Sequence, residues 1–109
     1  MRYGGLTSST NHKLAQKYCD GKPASLLSFG IKGGLAKTDK FYDALEVFKR
    51  LINIGDSKSL TCHPASTSQM TPEEQKQTGV TEDLVRLCIG IEPIDDILAD
   101  LDQALVTAK

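Results

Sequence analysis

Leu84-Val85-Arg86-Leu87-Cys88-Ile89-Gly90-Ile91 is the stretch whose reading decides the fold. Arg86 apart, it is apolar or glycine, and a short run of that composition forms a largely buried strand. Arg86 interrupts the run. A guanidinium keeps its charge under all ordinary conditions, and burying it without a partner is costly. It therefore meets a carboxylate from within the chain or holds one from outside. Physics alone favours an internal partner, because structural ion pairs also place charges in strands. Glu92 is the nearest acidic candidate along the sequence.

Working outward from this strand, the sequence predicts helices and strands in alternation. Thr71-Pro72-Glu73-Glu74 is a helix start: Thr71 caps, Pro72 suits the first helical position and Glu74 completes a capping box. Gly79 closes that helix. Ser59-Leu60-Thr61-Cys62 reads as a short strand ending at His63-Pro64. Asp39 is the expected cap of a helix running to Ile52, with Phe41, Leu45, Phe48 and Ile52 at helical spacing as its core face. Ala24–Ile31 reads as a first strand, followed by a turn at Lys32-Gly33-Gly34, and Asn11–Tyr18 as a short helix. Beyond Pro93 a last helix carries Ile94, Ile97, Leu98, Leu101 and Leu105 on one expected apolar face. Residues 1–10 look like a lead-in segment with no core pattern. The expected architecture is α/β (α+β), a small open mixed or antiparallel sheet of three or four strands covered by helices.

At 109 residues the chain is long enough for one domain with a modest core, so 1–109 is read as a single domain. The formal net charge of -1 argues against a nucleic-acid partner. No apolar stretch is long enough to cross a membrane, and no amino-terminal signal pattern is present. Three cysteines, Cys19, Cys62 and Cys88, lie in no paired spacing and read as reduced thiols of a cytoplasmic protein.

Few constellations here could carry chemistry. Cys62-His63 with Cys19 and Cys88 lacks the spacing of a zinc site, so no metal is expected. In a strand, adjacent side chains point to opposite faces, so Cys62 and His63 do not make a nucleophile–base pair with each other. Gly30, Gly33 and Gly34 lead into Leu35-Ala36-Lys37 rather than into a phosphate-binding helix. Glu92, Asp95, Asp96, Asp100 and Asp102 read as helix-dipole partners and a solvated face. Arg86 remains. Its functional reading is two-pronged capture of a carboxylate, which a lysine does poorly.

Three segments in order resemble one family. They are Phe29-Gly30-Ile31-Lys32-Gly33-Gly34, the run from Asn53-Ile54-Gly55-Asp56 through His63-Pro64-Ala65-Ser66-Thr67, and Asp83 through Glu92. Together they resemble the carboxy-terminal domain of the pyridoxal-phosphate-dependent enzymes of Cys/Met metabolism, a group of fold-type I transferases and lyases. Within it, Asn53-Ile54-Gly55-Asp56-Ser57-Lys58-Ser59, Thr71–Gln75 and Gly79–Leu84 are most similar to the O-acetylhomoserine sulfhydrylases.

The resemblance implies that Arg86 holds the α-carboxylate of an amino-acid substrate and that Asn53 helps through side chain or backbone. Fixing the carboxylate sets the Cα–H bond against the cofactor ring. It implies a complete enzyme that uses pyridoxal phosphate, forms homo-oligomers and performs γ-replacement in methionine biosynthesis. The family's Schiff-base lysine, in a Ser-x-Thr-Lys setting, matches nothing here. The expectation is therefore that this chain alone binds no cofactor, has no catalytic residue and is inactive without an amino-terminal cofactor domain. The family's His after His-Pro-Ala-Ser-Thr is also absent, because Thr67 leads directly to Ser68-Gln69-Met70. A γ-lyase domain of the same family and a stand-alone amino-acid-binding or oligomerisation module are the alternatives.

Overall fold

The computed structural model describes every residue, Met1–Lys109. In chain order the elements are α1 (His12–Cys19), β1 (Leu26–Gly30), α2 (Leu35–Ala44), β2 (Lys49–Arg50), β3 (Leu60–Cys62), α3 (Pro64–Thr67), α4 (Pro72–Thr78), β4 (Leu84–Cys88) and α5 (Ile94–Thr107). The strands form one mixed sheet in the order β1-β4-β3-β2. β4 is central and antiparallel to both neighbours, while β2 pairs with β3 in parallel. The expected open α/β sheet of three or four strands covered by helices is the fold observed. At the β1 edge, Arg2 of the lead-in segment forms an isolated bridge with Ser28.

Alternation along β4 separates two faces. Val85 and Leu87 are buried and join Phe41, Tyr42, Phe48, Ile97, Ala104 and Ala108 in the core. Leu27 and Phe29 of β1 pack beside them, with Phe29 edge-on to Phe41. Arg86 points the other way, in register with Ser28 on one side and Cys62 on the other.

Much of the local reading holds. Thr71 and Glu74 make both halves of the capping box, and Gly79 takes the left-handed conformation, φ 73°, that ends α4. The helix expected over Asp39–Ile52 does not form as such. α2 starts earlier, after Gly34, and Asp39 lies inside it rather than capping it. It stops at Ala44 because the next backbone donors are taken by α5: the N–H groups of Glu46, Val47 and Phe48 all donate to the Asp100 carboxylate, at 2.9, 2.9 and 3.3 Å. The chain then extends and adds β2 to the sheet. Phe48 still reaches the core, whereas Ile52 is exposed. A tertiary contact has overridden helical periodicity.

The face of α5 also differs from expectation. Ile97 and Leu101 turn inward with Asp100, Ala104 and Ala108, while Ile94, Leu98 and Leu105 are exposed. The small Ala104 and Ala108 allow close approach, and that rotation is the one that lets Asp100 reach the 46–48 turn. β4 ends at Cys88 rather than Ile91, and Ile91 is solvent-exposed. The turn after β3 forms a short extra helix, α3, opened by Pro64.

Candidate functional site

The site is built from the outward face of β4 and the segment that follows β2. Arg86 is half-buried. Its guanidinium Nη2 donates to the carbonyl of Ile52 at 2.6 Å. That bond brings the Ile52–Asn53 peptide to the Arg86 guanidinium, which reaches it across the intervening strand β3. Asn53 sits in an exposed run from Leu51 to Gly55.

The internal carboxylate favoured by physics alone is not there. Glu92 turns to Ser59 instead, accepting from its backbone N–H at 2.7 Å and from its hydroxyl at 2.7 Å. These two bonds hold the Glu92 carboxyl below the usual carboxylate range. The one ion pair in the molecule joins Arg50 to Asp43. Arg86 therefore keeps a full positive charge on a rigid strand, its guanidinium donating to one carbonyl and paired with no acid.

On the far side of the Ile52 contact, an open cleft of about 350 Å³ is lined in part by Tyr42, Arg50, Leu51, Ile52, Cys62 and His63; Arg86 itself lines a different cavity, with Ser28 and Leu84. Its titratable groups are poorly suited to chemistry. Burial pushes the Cys62 thiol up, outweighing the opposing pull of Arg86, so Cys62 is not a ready thiolate. Burial likewise raises Tyr42, to about 12. Both nitrogens of His63 are engaged, Nδ1 with the Ser66 hydroxyl at 2.9 Å and Nε2 with the Glu82 carbonyl at 2.6 Å. Because a carbonyl only accepts, Nε2 must carry a proton. Cys62 and His63 lie side by side in sequence, yet His63 faces Tyr42 on the core side while Cys62 shares the Arg86 face.

The residues present do not fit pyridoxal phosphate by themselves. That cofactor needs an enclosed lysine for its Schiff base. Every lysine here is exposed except Lys37, whose ammonium donates to the Lys109 carbonyl at 2.7 Å. No group of three or more His, Cys, Asp or Glu side chains gathers where it could hold a metal ion.

Sequence reasoning placed Asp100 on a solvated face, but it is buried and fastens the 46–48 turn. A signal was available: Asp100 falls three residues after Ile97 and four before Ala104, on the inward side of α5. The Ser59 anchor for Glu92 and the role of the Ile52 carbonyl carried no local signature.

Known proteins resemble this chain in sequence and in fold. The O-acetyl-L-homoserine sulfhydrylase 1 of Thermus thermophilus is 45% identical over 107 residues, covering 96% of this chain and 25% of the longer protein. The O-acetyl-L-homoserine sulfhydrylase of Leptospira meyeri is 50% identical over 108 residues, covering 96% and 24%. Among solved structures, yeast cystathionine γ-lyase superposes with a TM-score of 0.90 at 35% identity, covering 97% of this chain and 28% of that one. The chain thus spans about a quarter of the length of these relatives. The lyase match shows that the fold does not separate the family's reaction types. No helix is long and apolar enough to cross a membrane. The model of the Cys/Met metabolism PLP-dependent enzymes matches residues 1–106, almost the whole sequence carrying the Arg86 strand and the Asn53 loop, and the chain belongs to that family.

Proposed function

We propose that this chain is the substrate-carboxylate domain of a longer O-acetylhomoserine sulfhydrylase-like enzyme. Arg86 holds the α-carboxylate of the amino-acid substrate, and Asn53 completes the grip through its side chain or backbone. The observation that supports this most is the charge on Arg86: it stands on a rigid strand beside the Ile52–Asn53 peptide with no internal acid to neutralise it. A planar guanidinium with free donors matches the two oxygens of a carboxylate, and fixing that group orients the rest of the substrate towards the reacting centre. Residues 1–109 act as one domain with 1–10 as its lead-in, and the reacting groups belong to a cofactor domain joined to it.

In the complete enzyme the reaction is γ-replacement. Acetate leaves O-acetylhomoserine and sulfide or a thiol adds, giving homocysteine or methionine. The similarity to named sulfhydrylases supports this choice over a γ-lyase. The enzyme works in the cytoplasm as a homo-oligomer.

The test is steady-state kinetics on the full-length enzyme carrying Arg86→Lys. The variant keeps the charge and loses the fork, and we expect a loss of about 2–3 kcal/mol in transition-state binding with little change in melting temperature. An unchanged kcat/KM for O-acetylhomoserine defeats the assignment of Arg86. Elimination to 2-oxobutyrate in place of sulfide-dependent replacement defeats the sulfhydrylase reading but not the carboxylate site.

A further inference from the structure

The loop that carries Asn53 is not held by packing. Leu51 through Gly55 are all exposed, and the apolar Ile52 and Ile54 point to solvent. Exposed loop backbone of this kind has low local stability unless its ends are tied. Here both ends are tied, and in each case by a carboxylate belonging to α5 or its lead-in.

After Asn53, the chain reaches Ser59, which is fully buried. Its N–H and hydroxyl both donate to Glu92, and its hydroxyl oxygen accepts the N–H of Gly90 at 2.9 Å. Ile91 N–H donates to the Ser57 carbonyl at 2.9 Å. Gly90 lies so near that an added Cβ would come within 2.4–2.5 Å of the backbone of Ser57, Lys58 and Ser59. Before Asn53, Asp100 gathers the N–H groups of Glu46, Val47 and Phe48. The two anchors are joined across the sheet, because Lys49 N–H donates to the Ser59 carbonyl at 3.0 Å and Leu51 N–H to the Thr61 carbonyl at 3.2 Å.

We propose that Glu92 and Asp100 are positioning residues for the carboxylate site: by fastening the backbone on either side of Asn53, they fix that loop against Arg86. The inference rests on the assignment of Arg86 and Asn53 made above. Arg86, Gly90 and Glu92 then work together within one short segment, the arginine binding substrate while the glycine and the glutamate hold the facing loop. A carboxylate suits the anchoring task because it only accepts, whereas an amide in its place turns an N–H towards donors.

The experiment compares Glu92→Gln, Glu92→Asp and Arg86→Lys in the full-length enzyme, below the melting temperature of each variant. In Glu92→Gln, KM for O-acetylhomoserine should rise about tenfold, as expected when a remote change displaces a binding group by a fraction of an ångström. KM for sulfide, which has no carboxylate, should stay the same. Glu92→Asp should recover part of the loss, since it keeps an acceptor-only group. A lowered melting temperature with both KM values unchanged in Glu92→Gln overturns the positioning role. If Arg86→Lys raises KM and Glu92→Gln does not, the positioning inference fails alone. If neither variant raises it, the carboxylate site itself is misassigned.

Discussion

Two arginines near the cleft have opposite circumstances. Arg50, on edge strand β2, is paired with Asp43 and lies over the Tyr42 ring at 5.4 Å. Arg86, on central strand β4, has a backbone carbonyl and no carboxylate. The exposed pair at Arg50 is complete in itself, with both side chains more than half in solvent. Such pairs contribute little, because water screens them and two long side chains must be ordered. The half-buried Arg86 is screened less, and no acid of the chain neutralises its charge. Position in the sheet separates the two: the edge strand gives its side chain room to find a local acid, and the central strand holds its own still.

The largest effect that could break this contrast is Arg86→Ala. On the proposed assignment, removing the guanidinium leaves the substrate carboxylate unpartnered, and kcat/KM of the complete enzyme should fall by about a hundredfold or more. Its melting temperature should move little, because no internal acid loses a partner. A variant that unfolds while the remaining folded enzyme turns over normally would make Arg86 a structural residue and remove its ligand-binding side of the contrast.

Next in size is Asp100→Asn, which disturbs the segment bearing Arg50 and the Ile52 carbonyl together. Losing a buried charged acceptor of three N–H groups should cost about 3 kcal/mol, read by chemical denaturation. The pH dependence has a definite sign. Burial pushes the Asp100 carboxyl up, but hydrogen bonds from Glu46, Gln103, Val47 and Phe48 outweigh it and hold the group below its ordinary value. A carboxyl lowered on folding stabilises above its unfolded pKa and loses that contribution as pH falls through the folded value. The stability gap between wild type and Asp100→Asn should therefore be full at neutral pH and shrink in acid. A gap that widens in acid would remove the hydrogen-bond explanation.

Gly90→Ala acts on the Arg86 side of the contrast. The new methyl meets backbone rather than a flexible side chain, so the 57–59 segment must move. The expected cost is about 2 kcal/mol of stability, together with a raised KM for the amino-acid substrate. A neutral substitution would show that the close approach is unimportant. Smallest is Arg50→Ala, which should cost less than about 1 kcal/mol and leave kcat/KM nearly unchanged. A loss comparable to that of Arg86→Lys would erase the distinction from which these expectations start.

The local sequence determined the elements whose signals are local. The Thr71–Glu74 box and Gly79 set both ends of α4, because caps satisfy backbone groups with neighbours a few residues away. The apolar run at Leu84–Cys88 made a central strand with Arg86 on it, and the Asn53 and Arg86 segments were legible as a family pattern. Tertiary structure alone decided where the helix expected over Asp39–Ile52 stops, since the Asp100 carboxylate that captures its would-be donors is more than fifty residues away. It also decided which side of α5 faces inward, because Ala104 and Asp100 fit the space under α2 and the 46–48 turn better than Ile94 and Leu98 do. Finally, it settled the partner of Arg86. Sequence proximity favoured Glu92, but the fold brings Ser59 to that carboxylate and leaves the guanidinium without an acid, because a charge pairs with whatever the completed sheet places in reach.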